Sequence, residues 1–249
     1  PDDLQITARI YQAGGTAGNT SAGSYCDRGS EILQLQRRRI MEYMYRIRQQ
    51  QRGRICIFEK TYGIDLGSKF RKVLFFFRNK TYIEKNMIAS KGHTIIAMGN
   101  EAYDMFEKSP TDITVTSPMT FGMIANLELQ EIVLYSMIRK IDHILGFGAT
   151  MYFTVPLDMT AVEKRAYFHV ANGHWLKKNR VFMVEAPIAD AIAMGVNLED
   201  PEGNMIVNIG AQSTEVSIIT GGKIIISRKI PLGGRQMNES VCSEIRKKI

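Results

Sequence analysis

Two short stretches combine an acid or amide, a glycine and a hydroxyl in a tight turn between apolar runs. They are Asp65-Leu66-Gly67-Ser68-Lys69-Phe70 and Asn208-Ile209-Gly210-Ala211-Gln212-Ser213. Each reads as a β-hairpin whose turn exposes the main chain. A glycine there lets a ligand approach the backbone, and successive N–H groups in such a turn hold a phosphate. Asp65 is suited to hold a hard cation such as Mg2+ through water, because such a cation takes oxygen ligands. The plainer alternative is a strand-end carboxylate satisfied by local N–H groups.

The two stretches are copies of one pattern. Asp65 to Val73 lies over Asn208 to Val216 without a gap, at an offset of 143 residues. Asp65 and Asn208, Leu66 and Ile209, Gly67 and Gly210, and Val73 and Val216 fall in register. Lys80 with Lys223 and Ile83 with Ile226 extend the match. The repeat predicts two similar halves, each offering one hairpin to a shared phosphate in a cleft.

The elements that must position these loops alternate between strand and helix. Residues 55–58 and 62–66 read as a strand entering the first loop, and Val73 to Phe77 as a buried strand before a turn at Arg78 to Lys80. Thr94 to Met98 is a further strand, and Asn100 to Lys108 a short helix. Asn126 caps a helix with Leu129, Ile132, Val133, Ile141, Ile144 and Leu145 on its apolar side and Gly146 at its end. Thr150 to Val155 is a strand. Thr160-Ala161-Val162-Glu163 has the spacing of a capping box, opening a helix that ends at Asn172-Gly173. Arg180 to Val184 is a strand, and Pro187 and Gly195 bracket the next helix. Residues 197–203 read as a hinge. Met205 to Ile209, Val216 to Ile219 and Lys223 to Ile230 are strands, before a last helix around 238–249. The alternation indicates an α/β protein.

On these residues the chain resembles a known superfamily. Tyr62 to Ser68 looks like the first phosphate loop shared by actin, sugar kinases and heat-shock chaperone ATPases, and Asn208 to Glu215 like the second. Three further stretches resemble the MreB-type bacterial rod-shape proteins: Met98 to Ala102, Val155 to Ala166, and Glu185 to Ala191. The resemblance implies the actin-like ATPase fold, with two ribonuclease-H-like domains facing across a nucleotide cleft. It implies ATP and Mg2+ as ligands. It also implies self-assembly into filaments at the inner, cytoplasmic face of the membrane, with the cell-wall elongation machinery as partner. Residues 55–196 would form the first domain, with a small inserted subdomain at 80–117, and residues 197–249 the start of the second. The Gly-rich loop that holds adenosine in the family has no counterpart here. The chain also lacks an initiator Met, and it reads as a fragment or a short paralogue.

Composition narrows the alternatives. The chain has 249 residues and a formal net charge of +7. Residues 31–60 carry eight Lys and Arg against three Asp and Glu, so the basic character is concentrated there. This argues against a body that tracks nucleic acid. Residues 1–54 read as a flexible leader followed by a basic amphipathic segment. Over 31–52, Ile32, Leu33, Ile40, Tyr43, Met44 and Ile47 share one face while Arg37, Arg38, Arg39, Arg46, Arg48 and Arg52 fill much of the rest, a pattern that suits an anionic membrane surface. Three cysteines, odd in number and widely spaced, indicate neither a disulfide framework nor a zinc site.

The site departs from the family in several places. Ser68 keeps a hydroxyl where threonine is usual, while Lys69 and Phe70 replace small or amide residues. Asn208 replaces an aspartate. Ala211 and Gln212 replace two glycines, and Ser213 and Thr214 keep hydroxyls. Arg235 stands where an acid is usual. Glu163 matches the glutamate that orients the attacking water, although its capping-box position explains it without chemistry. These departures argue against efficient hydrolysis more than against the fold. The rival class is another ATPase of the superfamily. A sugar kinase needs a carboxylate base and a sugar-binding insertion, and a chaperone needs a substrate-binding domain. The sequence shows none of these.

Overall fold

The computed structural model describes residues 60–248 apart from 77, 79, 107 and 143–147. The expected leader, the basic helix over 31–52, the strand over 55–58, Phe77 and the helix end at 144–146 lie outside the described residues.

Thirteen strands and five helices follow one another among the described residues. Strands β1 (Thr61–Leu66), β2 (Phe70–Phe75) and β3 (Lys80–Lys85) form an antiparallel meander around the first loop. Next come β4 (Ile88–Lys91), β5 (Thr94–Met98), helix α1 (Asn100–Met105) and β6 (Ile113–Thr116). A short hairpin of β7 (Met119–Thr120) and β8 (Met123–Ile124) leads into α2 (Leu127–Ile141). Then β9 (Thr150–Val155), α3 (Ala161–Asn172), β10 (Arg180–Glu185) and α4 (Ala186–Met194) alternate. The last elements are β11 (Asn204–Ile209), β12 (Thr214–Thr220), β13 (Lys223–Ile230) and α5 (Gly234–Arg246).

The principal sheet has the order β10-β9-β1-β2-β3, with β9 and β10 parallel to β1. Parallel neighbours need a long crossover, and α3 supplies the one between β9 and β10. The apolar faces of α2 and α3 cover one side of this sheet. Leu134, Met137 and Ile138 of α2 and Tyr167, Val170 and Ala171 of α3 meet Ile64, Val73, Phe75 and Phe153 in one core. On the other side, α4 is wedged between two sheets. Its Ile188, Ala191 and Ile192 pack with Tyr152 and Val184 of the principal sheet and with Ile206 and Ile219 of the β11-β12-β13 meander. That shared core brings the second hairpin beside the first. A third sheet, β5-β4-β6, branches off between Ile88 and Thr116.

The repeat is real at the level of strand register. Ile64 lies opposite Val73, Asp65 opposite Lys72 and Leu66 opposite Arg71. At the same offset, Val207 lies opposite Val216, Asn208 opposite Glu215 and Ile209 opposite Thr214. The equivalence stops at the third strand. Lys72 pairs with Ile83, whereas Glu215 pairs with Lys229, so Ile83 and Ile226 are not counterparts. Several ends also differ from the sequence reading. α1 stops at Met105, short of Lys108, and α5 begins at Gly234, ahead of Asn238.

Local chemistry sets the ends of the other helices. Asn126 accepts from the Leu129 N–H at the start of α2, and Gly195 in the left-handed region (φ 82°) closes α4. At α3, Thr160 and Glu163 form the reciprocal capping box. Among the described residues no helix is long and apolar enough to cross a membrane.

Candidate functional site

The two predicted loops line one cleft of about 560 Å³. Asp65, Gly67, Ser68, Lys69 and Phe70 stand on one wall, and Asn208, Gly210, Ala211, Gln212 and Ser213 on the other. Pro156 and Tyr167 contribute from the principal half, Asp190 from α4, and Lys229 from β13.

Steric demand explains the glycines. A Cβ added at Gly67 would lie 2.5 Å from the carbonyl oxygen of Phe70, closer than any side chain tolerates. At Gly210 it would lie 3.0 Å from the carbonyl oxygen of Ser213, which itself accepts from the Gly210 N–H at 2.9 Å. Both turns are therefore tight, and their residues line the cleft. Asn86 braces the first loop from behind, donating from Nδ2 to the Gly67 carbonyl at 3.0 Å. The start of α5 braces the second: the Gly234 and Arg235 N–H groups donate to the carbonyls of Gly210 and Ala211 at 3.0 and 2.8 Å.

A third turn links the two loops. Gly122 donates its N–H to Ser68 Oγ at 2.9 Å, and Phe121 donates its N–H to Gln212 Oε1 at 2.8 Å. The Phe121 carbonyl accepts from Lys229 Nζ at 2.5 Å. Both central residues of this β7–β8 turn have positive φ, 49° at Phe121 and 78° at Gly122. A two-residue hairpin turn of that hand requires it, and Phe121 adopts it at some steric cost. Gln212, one of the two residues that replace glycines of the family pattern, thus serves as a tie across the cleft.

Charges in the cleft alternate. Asp65 Oδ2 accepts from Lys72 Nζ at 2.9 Å. Asn208 donates from Nδ2 to Asp190 Oδ2 at 2.7 Å. Burial, aided by the charges of Asp65 and Glu215 and opposed by Asn208 and Lys72, pushes the Asp190 carboxyl up to about 6. Phe70 carries the Lys85 ammonium over its ring, 4.0 Å from the centroid.

Glu163 is not among the residues that line the cleft. Its carboxylate accepts from the Thr160 N–H at 2.6 Å and from Thr160 Oγ1 at 2.9 Å. The capping box engages one carboxylate oxygen, Oε2, of the group that the resemblance assigns to water.

The residues present can be tested against Mg2+. A hydrated cation needs an uncommitted carboxylate beside the phosphates. The Asp65 carboxylate is already neutralised by an ammonium, and position 208 offers an amide turned onto another carboxylate. A divalent ion at Asp65 would therefore compete with the Lys72 ammonium, and position 208 adds no second charge.

Two loops on facing hairpins of a β-repeat, meeting over one cleft in a sheet of this order, make up an architecture that known proteins share. The family described as MreB/Mbl protein matches residues 59–249. The chain belongs to the MreB/Mbl family. It is 29% identical to the cell shape-determining protein Mbl of Bacillus cereus over 197 residues, which is 77% of this chain and 58% of that protein. It is 29% identical to the cell shape-determining protein MreB of Escherichia coli over 161 residues, 64% of this chain and 46% of that protein. The chain thus spans about half the length of the curated relatives it matches. Among solved structures, MreB5 of Spiroplasma citri bound to ADP aligns with a TM-score of 0.70 at 27% identity, covering 76% of this chain and 57% of that one. The MamK double helical filament subunit aligns with a TM-score of 0.62 at 16% identity, covering 76% and 59%, which establishes the common actin-like fold.

The sequence reading missed Lys72, Asp190, Lys229 and the Phe121-Gly122 turn. Hairpin pairing around the first loop carries a signal for Lys72, since the register puts it opposite Asp65. Asp190 lay inside a stretch already picked out, Glu185 to Ala191, but only the packing of α4 against β11 places it in the site. Nothing local marks Phe121-Gly122.

Proposed function

We propose that this chain binds ATP or ADP between its two phosphate loops and assembles with copies of itself into cell-shape filaments at the cytoplasmic face of the membrane. The observation that carries the reading is the convergence of both loops on one cleft. MreB5 of Spiroplasma citri, crystallised with ADP and with AMPPNP, aligns with this chain over 76% of its length. Residues 60–196 act as the first lobe and residues 197–248 as part of the second, so a nucleotide bridging the loops bears on their relative orientation.

Each residue has a plain role in this reading. Main-chain N–H groups of the turns at Gly67 to Phe70 and Gly210 to Ser213 hold the phosphates. Ser68 and Ser213 add hydroxyl donors, and Lys69 and Lys229 add charge. Hydrolysis is slow, because transfer of a phosphoryl group depends on positioning and charge stabilisation. Here Asn208 is uncharged, and Glu163 stands outside the cleft lining with one carboxylate oxygen on its helix cap. The basic segment over 31–52 supplies membrane attachment, and the cell-wall elongation machinery is the partner by family.

Sedimentation with and without ATP tests the assembly. The 249-residue chain is expected to pellet in an ATP-dependent manner. A chain that binds ATP yet stays in the supernatant at all concentrations would refute filament formation while leaving the nucleotide site intact.

A further inference from the structure

Lys72 sits where the phosphate chemistry calls for positive charge. The β1–β2 register sets it directly opposite Asp65, and the two side chains meet at 2.9 Å on the cleft wall. The equivalent pair in the second hairpin is Asn208 and Glu215, which holds no cation. The repeat is therefore polarised, with the base on the first hairpin. Asp65, opposed by burial and helped by Asp190, keeps the Lys72 ammonium above the ordinary lysine range, so it stays charged at neutral pH.

We infer that Lys72 is a built-in cation that takes the place of a divalent metal, so that the cleft binds nucleoside polyphosphate with little dependence on Mg2+. The inference rests on the nucleotide reading above. An ammonium carries three N–H donors, and the Asp65 contact uses one, leaving others for phosphate oxygens. A dication brought to the same carboxylate would meet Lys72 at close range and be repelled. Asp65 then acts by holding Lys72 in place and not by holding a hydrated ion. Lys69 and Lys229, on either side of the same cleft, complete a set of three cations. Asp65, Asp190 and Glu215 balance them.

The experiment measures ATP binding to the full chain by calorimetry, once with excess Mg2+ and once with EDTA. The wild-type Kd is expected to differ by less than about threefold between the two conditions. Lys72→Met is expected to weaken binding in EDTA by roughly tenfold or more, since one partner of a charge-assisted contact is lost. Mg2+ should then restore part of the affinity, because Asp65 is freed. Lys72→Arg, which keeps the charge, should remain independent of Mg2+. Wild-type binding that tightens roughly tenfold or more with Mg2+ overturns the inference, and so does Lys72→Met binding unchanged in EDTA. If Lys72→Met fails to fold, the wild-type ratio and the Lys72→Arg ratio decide. A folded wild type that binds no ATP in either condition overturns the nucleotide reading and this inference with it.

Discussion

Replacing Glu84 by glutamine tests the brace behind the first loop. Arg71 follows that loop directly and points into the core face of β2, where its side chain is 0% exposed. Its Nη2 donates to Glu84 Oε2 at 2.6 Å, and its Nε and Nη1 have no partner among the described residues. Lys140 of α2 donates to the other carboxylate oxygen at 2.9 Å. There is no slack around this carboxylate, since a Cβ at Gly99 would collide with it. Glutamine keeps the shape and removes the charge, leaving a buried guanidinium unpaired. Breaking a buried pair in this way costs about 3–5 kcal/mol. For a folded unit of this size that is a fall in Tm of roughly 6–20 °C.

The assay is urea unfolding of wild type and Glu84→Gln, followed by circular dichroism. Burial alone would raise the Glu84 pKa, but hydrogen bonds from Lys140 and Arg71 outweigh it and hold the carboxyl below its ordinary 4.5. Its contribution is therefore present above that value and lost as pH falls through the depressed folded value. The wild type should show this acid loss, and Glu84→Gln should not. The pair Arg71→Met with Glu84→Leu should recover most of the stability, because an apolar pair avoids the desolvation. A Glu84→Gln loss below about 1 kcal/mol, the range of exposed pairs, would refute the reasoning.

Two more outcomes follow from the site. Asp190 binds its proton more tightly folded, at about 6, than at its ordinary 3.8, so stability should fall as pH rises across that window. The fall is at most about 3 kcal/mol, and Asp190→Asn should abolish it in unfolding curves taken at intervals through the window. Thr160→Ala removes the cap hydroxyl of α3 and should cost about 1 kcal/mol, read as a lower midpoint in urea.

Much of this fold was legible because local chemistry and tertiary structure agree. The β9 and β13 ranges, the end of α3 at Asn172 and the closure of α4 at Gly195 follow from strand composition, a capping box and a left-handed glycine. The ten loop residues were legible because a glycine turn repeated at a fixed offset, with apolar runs in register, is what two equivalent hairpins produce. Glu163 is where one residue carried two readings, and the geometry realises the cap. What stayed hidden depends on distance in sequence. Nothing local marks Arg71 as buried, and only Glu84 and Lys140, brought in by β3 and α2, make its burial possible. Asp190 reads as a polar helix residue until α4 is packed against the second meander.

Hydrogen–deuterium exchange of the full chain with and without ATP tests the central claim, that both loops grip one ligand. The account predicts slowed exchange in peptides spanning Asp65 to Phe70 and Asn208 to Ser213 together, with both effects saturating at the same ATP concentration. Slowing in only one of the two, or in neither while the protein remains folded, would contradict it.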